Sequence, residues 1–197
     1  MIAIIKYNAG NVQSVQYALQ RLGADSVVTD DAALIRSADK VIFPGVGHAG
    51  AAMQNVRDKN LDELIVSLKQ PVLGVCVGMQ LMCASSEEGD TTGMGIFNEA
   101  VKLFVPPANQ RVKVPQIGWN SIYQLNSILF KDLAEGDFVY LVHSYYAALG
   151  ADTAATVNYI HPYSAALQKN NFYAVQFHPE KSGKVGETIL KNFISIA

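Results

Sequence analysis

The chain has 197 residues, half of them hydrophobic, enough for one sizeable core and too few for two ordinary domains, so residues 1–197 read as one domain. A formal net charge of −2 offers no basic excess to nucleic-acid phosphates, and no apolar run reaches the roughly 18 residues that span a bilayer. The first seven residues lack the charged-then-apolar layout of an export signal, and a charged fraction of 16% fits an exterior partly covered by a partner.

Residues 2–7 form a continuous apolar run that reads as a first strand, ending in the loop Asn8-Ala9-Gly10-Asn11. Val12, Val15, Ala18, Leu19 and Leu22 then recur at helical period until Gly23 stops them. Residues 26–28 and 40–43 read as short strands, and 51–68 repeats the amphipathic period. Residues 70–75 form a buried strand that enters a helix at about Gly78. Such alternation predicts a doubly wound α/β fold, a mostly parallel central sheet with flanking helices. In the second half, residues 101–105, 113–123, 138–146, 153–158, 164–168 and 172–177 read as strands, an antiparallel extension of the sheet. Lys169-Asn170-Asn171 has the composition of a hairpin turn, and 188–196 closes the chain as a helix. The two cysteines, Cys76 and Cys83, would lie roughly 10 Å apart on one helix, too far for a disulfide. A reducing, cytoplasmic setting fits that inventory.

Residues 72–80 run an apolar strand into a helix through a glycine-flanked cysteine, Gly74-Val75-Cys76-Val77-Gly78. In such an elbow the nucleophile sits in a strained turn, and its neighbours must be small. The sulfur would stand at a helix N-terminus, where free N–H groups and the macrodipole favour a thiolate. It would also stand at the carboxyl end of a parallel strand, where open α/β sheets bind ligands. A buried core cysteine in a tight turn would use the same residues. Further on, Pro179 biases His178 towards extended backbone, and in an extended chain residues two apart project to one side. His178 and Glu180 can therefore share a space, the carboxylate orienting the imidazole. A surface turn at a strand end is the alternative reading.

Together these segments resemble the class I (triad) glutamine amidotransferases, whose hallmarks are Gly-x-Cys-x-Gly-x-Gln and a C-terminal Phe-His-Pro-Glu. Phe43-Pro44-Gly45-Val46-Gly47, a glycine-rich loop directly after a strand, is a third hallmark. The resemblance implies a triad of Cys76, His178 and Glu180, with an oxyanion hole from Val46, Gly47 and Val77. It implies that Gln80, Glu88 and the main chain of His143, Ser144 and Tyr145 hold the substrate glutamine, and that neither metal nor cofactor takes part. The reaction it implies is hydrolysis of glutamine through a γ-glutamyl thioester. The resemblance covers the whole chain and leaves no room for an acceptor-activating domain, so another polypeptide would use the ammonia.

Residues 7–15, 44–48, 74–82, 115–120 and 178–182 are similar to the glutaminase subunits of imidazole glycerol phosphate synthase. This implies a heterodimer with a cyclase subunit, a (β/α)8 barrel that makes imidazole glycerol phosphate and AICAR in histidine biosynthesis. Asn11, Trp119, Tyr140 and Lys181 would meet that partner. Ammonia released to neutral water is largely protonated and no longer nucleophilic, so a covered interface belongs to the chemistry. Two positions depart from the pattern. Gln116 stands where the family usually has His, and residues 159–163 replace a more usual glycine-containing turn. His48 and His161 read as structural or surface residues.

Three rivals stay open: a glutaminase subunit of another synthase (anthranilate, aminodeoxychorismate, GMP or pyridoxal phosphate), a free γ-glutamyl hydrolase, and a non-catalytic protein on the same fold. Lys181-Ser182 and Gly118-Trp119-Asn120 argue against the first, and intact Cys, His and Glu against the last.

Overall fold

Strands without a polar face must be covered on both sides, and the apolar runs of the first half satisfy this by pairing side by side in the interior. The computed structural model describes residues 1–7, 11–109 and 111–197; most of the loop expected at 8–11 lies outside them. Among the described residues the strands are β1 Ile2–Ile5, β2 Ser26–Thr29, β3 Lys40–Gly45, β4 Val72–Cys76, β5 Ser85–Ser86, β6 Thr91–Thr92 and β7 Ala100–Leu103. They continue as β8 Gln116–Ser121, β9 Phe138–His143, β10 Tyr145–Ala147, β11 Thr153–Asn158, β12 Pro162–Lys169 and β13 Phe172–Val175. The helices are α1 Val12–Arg21, α2 Ala32–Ser37, α3 Ala49–Asp58, α4 Leu61–Ser67, α5 Val77–Met82 and α6 Gly183–Ser195.

The main sheet runs β2-β1-β3-β4-β13-β12-β10-β7-β5-β6, with β11 added on β12. Its first five strands are mutually parallel, and every residue of β1, β4 and β13 is buried. From β12 onward the pairing turns mostly antiparallel, which is the expected extension. β8 and β9 form a separate two-stranded antiparallel ribbon. Lys169 pairs with Phe172, so Asn170-Asn171 is the hairpin turn its composition predicts.

Four elements differ from expectation, each for a local reason. Residues 51–68 form two helices, because Asn60 adopts a left-handed conformation (φ 53°) and the polar run Arg57-Asp58-Lys59-Asn60 breaks the apolar stripe. α2 was absent from the pattern because only Ile35 of it is buried; Asp31 starts it by accepting from Ala33 and Leu34 N–H. The run 138–146 divides at Ser144, β9 pairing with β8 while β10 joins the main sheet. α6 begins five residues early, and a Cβ at Gly186 would lie 1.9 Å from the Pro179 carbonyl oxygen, so this helix seats directly on the turn after His178. Among the described residues no helix is long and apolar enough to cross a membrane.

α5 lies so close to β3 that a Cβ on Gly78 would sit 2.0 Å from the Phe43 carbonyl oxygen. Backbone cannot yield as a flexible side chain does. Gly78→Ala is therefore expected to lower unfolding free energy by at least about 2 kcal/mol, read from urea midpoints.

Candidate active site

The three sequence motifs meet at the carboxyl ends of three neighbouring parallel strands. Gly45 at the end of β3 pairs with Cys76 at the end of β4, and Val75 of β4 pairs with Val175 of β13. The chain then continues from β13 through Gln176 and Phe177 to His178. A cavity of about 270 Å³ opens there, bounded by Val46, Gly47, Cys76, Val77, Gln80, Glu88, Pro115, Val142, His143, Ser144, Tyr145 and His178.

Cys76 has φ 54° and ψ −113°, the strained turn that an elbow demands, and immediately precedes α5. The thiol is free, as is that of the buried Cys83. Val77 opens α5, so its N–H has no partner within the helix. Gly47 has φ +92°, which lets the chain turn sharply after the half-exposed Val46.

His178 Nδ1 lies 2.8 Å from Glu180 Oε1, and both side chains are 2% exposed. The carboxylate accepts only, so Nδ1 carries the proton. Burial alone would lower the histidine, yet Cys76 and Glu180 outweigh it and raise the imidazole to about 9. Among the described residues Nε2 completes no hydrogen bond in this geometry, although the Cys76 sulfur is near enough to act on the ring. The backbone after β13 is tied down firmly. His178 N–H donates to the Tyr140 carbonyl at 3.0 Å, Ser182 Oγ donates to the His178 carbonyl at 2.7 Å, and Tyr140 N–H donates to Ser182 Oγ at 2.9 Å.

Other expected site residues take definite places. Gln80 is buried and bounds the cavity, but its amide nitrogen donates to the Tyr145 carbonyl at 3.0 Å and to Gln176 Oε1 at 2.9 Å. Glu88 Oε2 accepts from Ala49 N–H at 2.6 Å, so its carboxylate caps α3 at the cavity edge. His143, Ser144 and Tyr145 line one wall. Trp119 and Tyr140 lie off the cavity, directly opposed on the ribbon with rings 5.9 Å apart, and Trp119 is 55% exposed. Lys181 is exposed in the 3₁₀ turn Pro179–Lys181, and Asn11 Oδ1 caps α1 by accepting from Ser14 N–H at 3.4 Å. His48 caps α3 through Nδ1, and His161 packs edge-on against Tyr146. Among the described residues no cluster of His, Cys, Asp or Glu could hold a metal ion.

Two residues were missed from the sequence. The buried Tyr7 hydroxyl donates to the Pro44 carbonyl at 2.7 Å and braces the end of β3; burial, reinforced by Cys76, pushes its phenol well upward. Gln176 is fully buried, and its amide nitrogen lies 3.7 Å from Cys76 Sγ. An apolar strand ending in one polar residue at 176 was the available signal.

Residues 3–197 match the family model for glutamine amidotransferase class-I. The chain belongs to that family. It is 56% identical over 195 residues to imidazole glycerol phosphate synthase subunit HisH of Bacteroides thetaiotaomicron, covering 99% of each chain. It is 43% identical over 197 residues to the subunit of the same description from Yersinia pseudotuberculosis, again covering 99% of each. The crystal structure of a glutamine amidotransferase shares the fold, with TM-score 0.73 at 13% identity, covering 98% of this chain and 97% of that one. Within this amidotransferase, the doubly wound sheet thus accompanies both family sequence and family fold.

The raised His178 value fixes the sign of a pH effect. A group whose folded value lies above its ordinary 6.5 stabilises the fold fully below that pH and loses the contribution as pH rises through about 9. The urea midpoint of the wild type should therefore exceed that of His178→Asn most widely below about pH 6, the gap closing through about pH 9. Gln176→Leu removes an N–H directed at the sulfur. Alkylation of Cys76 by iodoacetamide should slow about fivefold, while buried Cys83 stays silent.

Proposed function

We propose that this chain hydrolyses glutamine to glutamate and ammonia with Cys76, His178 and Glu180, as the glutaminase subunit of an imidazole glycerol phosphate synthase. The observation that carries the reading is the buried His178–Glu180 pair beside a strained, glycine-flanked cysteine on the next parallel strand. The full-length similarity to the HisH subunits supports the choice of synthase.

His178 withdraws the Cys76 thiol proton, and Glu180, bonded to Nδ1, orients the imidazole and supports the resulting charge. The sulfur attacks the side-chain amide carbon of glutamine. Charge then develops on the amide oxygen, where Val46 and Val77 N–H groups would receive it; one such donor is worth about 2.7–4 kcal/mol. The C–N bond breaks as His178 returns its proton to the leaving nitrogen, releasing ammonia and a γ-glutamyl thioester. Water, activated by His178, then frees glutamate. Glu88 would meet the substrate ammonium, and the wall 143–145 its remaining polar atoms. Gln80 would act one step back, through Tyr145 and Gln176.

Residues 1–197 would form one glutaminase domain, in a cytoplasmic heterodimer with the (β/α)8-barrel cyclase. Ile117, Trp119 and Phe138 of the ribbon are exposed, and Val142 and Pro115 continue that ribbon to the cavity edge. An apolar face beside the cavity mouth suits a partner that receives ammonia without contact with water.

The test is glutamate release from glutamine by wild type and Cys76→Ala, each with and without the cyclase and its nucleotide ligand. Wild type should be feeble alone and stimulated by the cyclase, and Cys76→Ala should fall at least about a thousandfold. Stimulated activity retained by Cys76→Ala would refute the nucleophile. Equal turnover with and without the cyclase would refute control by the partner.

A further inference from the structure

We infer that Gln116 and Tyr163 are positioning residues for the glutamine pocket, acting through the His143 ring in a relay that permits one arrangement of protons. The inference rests on the glutaminase reading above. Gln116 on β8 and His143 on β9 are directly opposed across the ribbon, and Tyr163 reaches them from β12 in the main sheet. All three side chains are at least nine-tenths buried. Tyr163 Oη lies 2.9 Å from the Gln116 side-chain amide and 3.1 Å from His143 Nε2. At the other end of the ring, His143 Nδ1 lies 2.7 Å from the Tyr145 carbonyl oxygen, which also accepts from Gln80 at 3.0 Å.

The proton count admits one solution. A carbonyl oxygen only accepts, so His143 Nδ1 carries a proton. Burial, helped by the charge on nearby His178, lowers His143 to about 4 despite the bond to Tyr145, so the ring is neutral at physiological pH. A neutral imidazole has a single N–H, so Nε2 must accept, and among the described residues only the Tyr163 hydroxyl stands there to donate. The phenol has one proton and has now spent it. With Gln116 Oε1 nearest the phenol, Tyr163 would have to donate twice. The amide must therefore present its NH2 to Tyr163 Oη, an orientation that heavy-atom shape alone does not distinguish. The relay then reads Gln116 N–H to Tyr163 Oη, Tyr163 O–H to His143 Nε2, and His143 Nδ1–H to the Tyr145 carbonyl.

Its effect falls on the pocket wall. The His143 and Gln80 donors together occupy both lone pairs of the Tyr145 carbonyl, so the segment is held from two elements at once. Removing the phenol proton strands Nε2 in a dry interior. With no donor holding Nε2, nothing fixes the ring from that side, so it is freer to turn, which weakens the Nδ1–H bond to the Tyr145 carbonyl and loosens the wall. The two departures from the family pattern, Gln116 and the segment around Tyr163, thus meet in one hydrogen-bonded unit.

The test uses the full chain with its barrel cyclase for kinetics and imidazole ¹⁵N spectra for proton position. Wild type should show His143 protonated on Nδ1 and unprotonated on Nε2 at neutral pH; the reverse tautomer would overturn the relay. Tyr163→Phe should raise KM for glutamine about fivefold with kcat changed less than about twofold, and shift the His143 ¹⁵N resonances. Gln116→Leu, a second variant in case the first fails to fold, should raise KM in the same direction. Gln116→His, which restores an N–H donor to the phenol, should recover KM to within about twofold of wild type. Unchanged KM in folded Tyr163→Phe or Gln116→Leu would overturn the positioning role. A wild type that hydrolyses no glutamine would instead refute the glutaminase reading, with the ¹⁵N pattern still deciding the proton arrangement.

Discussion

The candidate site depends on the side-by-side parallel pairing of β3, β4 and β13. Parallel strands all finish at the same edge of a sheet, so the loop after Gly45, the elbow at Cys76 and the turn at His178 must emerge together. The next strand, β12, runs antiparallel to β13 and finishes at the opposite edge. The pairing has a steric condition. Cβ atoms at Gly45 and Gly78 would lie 2.5 Å from the Gly78 nitrogen and 2.0 Å from the Phe43 carbonyl oxygen respectively, so the two elements meet there only as bare backbone. Gly78, two residues after Cys76, therefore serves the contact between β3 and α5 as much as the strain of the turn, and Gly45 serves it from the β3 side.

On that frame sits a dry ionic pair. A buried imidazolium costs desolvation, and Glu180 with Cys76 overcomes it; among the described residues Glu180 Oε2 has no partner of its own. Around it the polar groups restrain one another. Gln80 holds Gln176, Gln176 reaches the sulfur, and the Tyr145 carbonyl is shared between Gln80 and His143. Such mutual restraint keeps donors aimed before substrate arrives, the condition under which they contribute most to a developing charge.

The β8–β9 ribbon ties this interior to the surface. One face buries Val139 and Leu141; the other exposes Trp119, Ile117 and Phe138. Tyr140, paired with Trp119, accepts the His178 N–H through its backbone carbonyl and donates to Ser182 through its backbone nitrogen. A body pressed against the aromatic face would therefore push on the chain segment that carries the histidine and carboxylate. That gives the proposed control by a partner a short physical route, one strand wide.

By itself the sequence determined the fold class and picked out the candidate triplet, because both are written locally. Strand–helix alternation needs only periodicity, the elbow needs glycines around Cys76, and His178 with Glu180 needs only extended backbone before Pro179. It fell short where an element has little apolar signal, as at α2 with its one buried residue, or where a polar run such as 57–60 splits a continuous stripe. Only the tertiary structure decided which side chains share space across long separations. Gln176 meets Cys76, Tyr7 meets Pro44, and Gln116 meets Tyr163 and His143, none of them predictable from spacing. It also decided that Gln80, expected at the substrate, spends its amide donors inside the protein. The reason is the same in each case: a buried polar group takes its meaning from the partner that satisfies it, and that partner is chosen by strand order rather than by neighbouring residues.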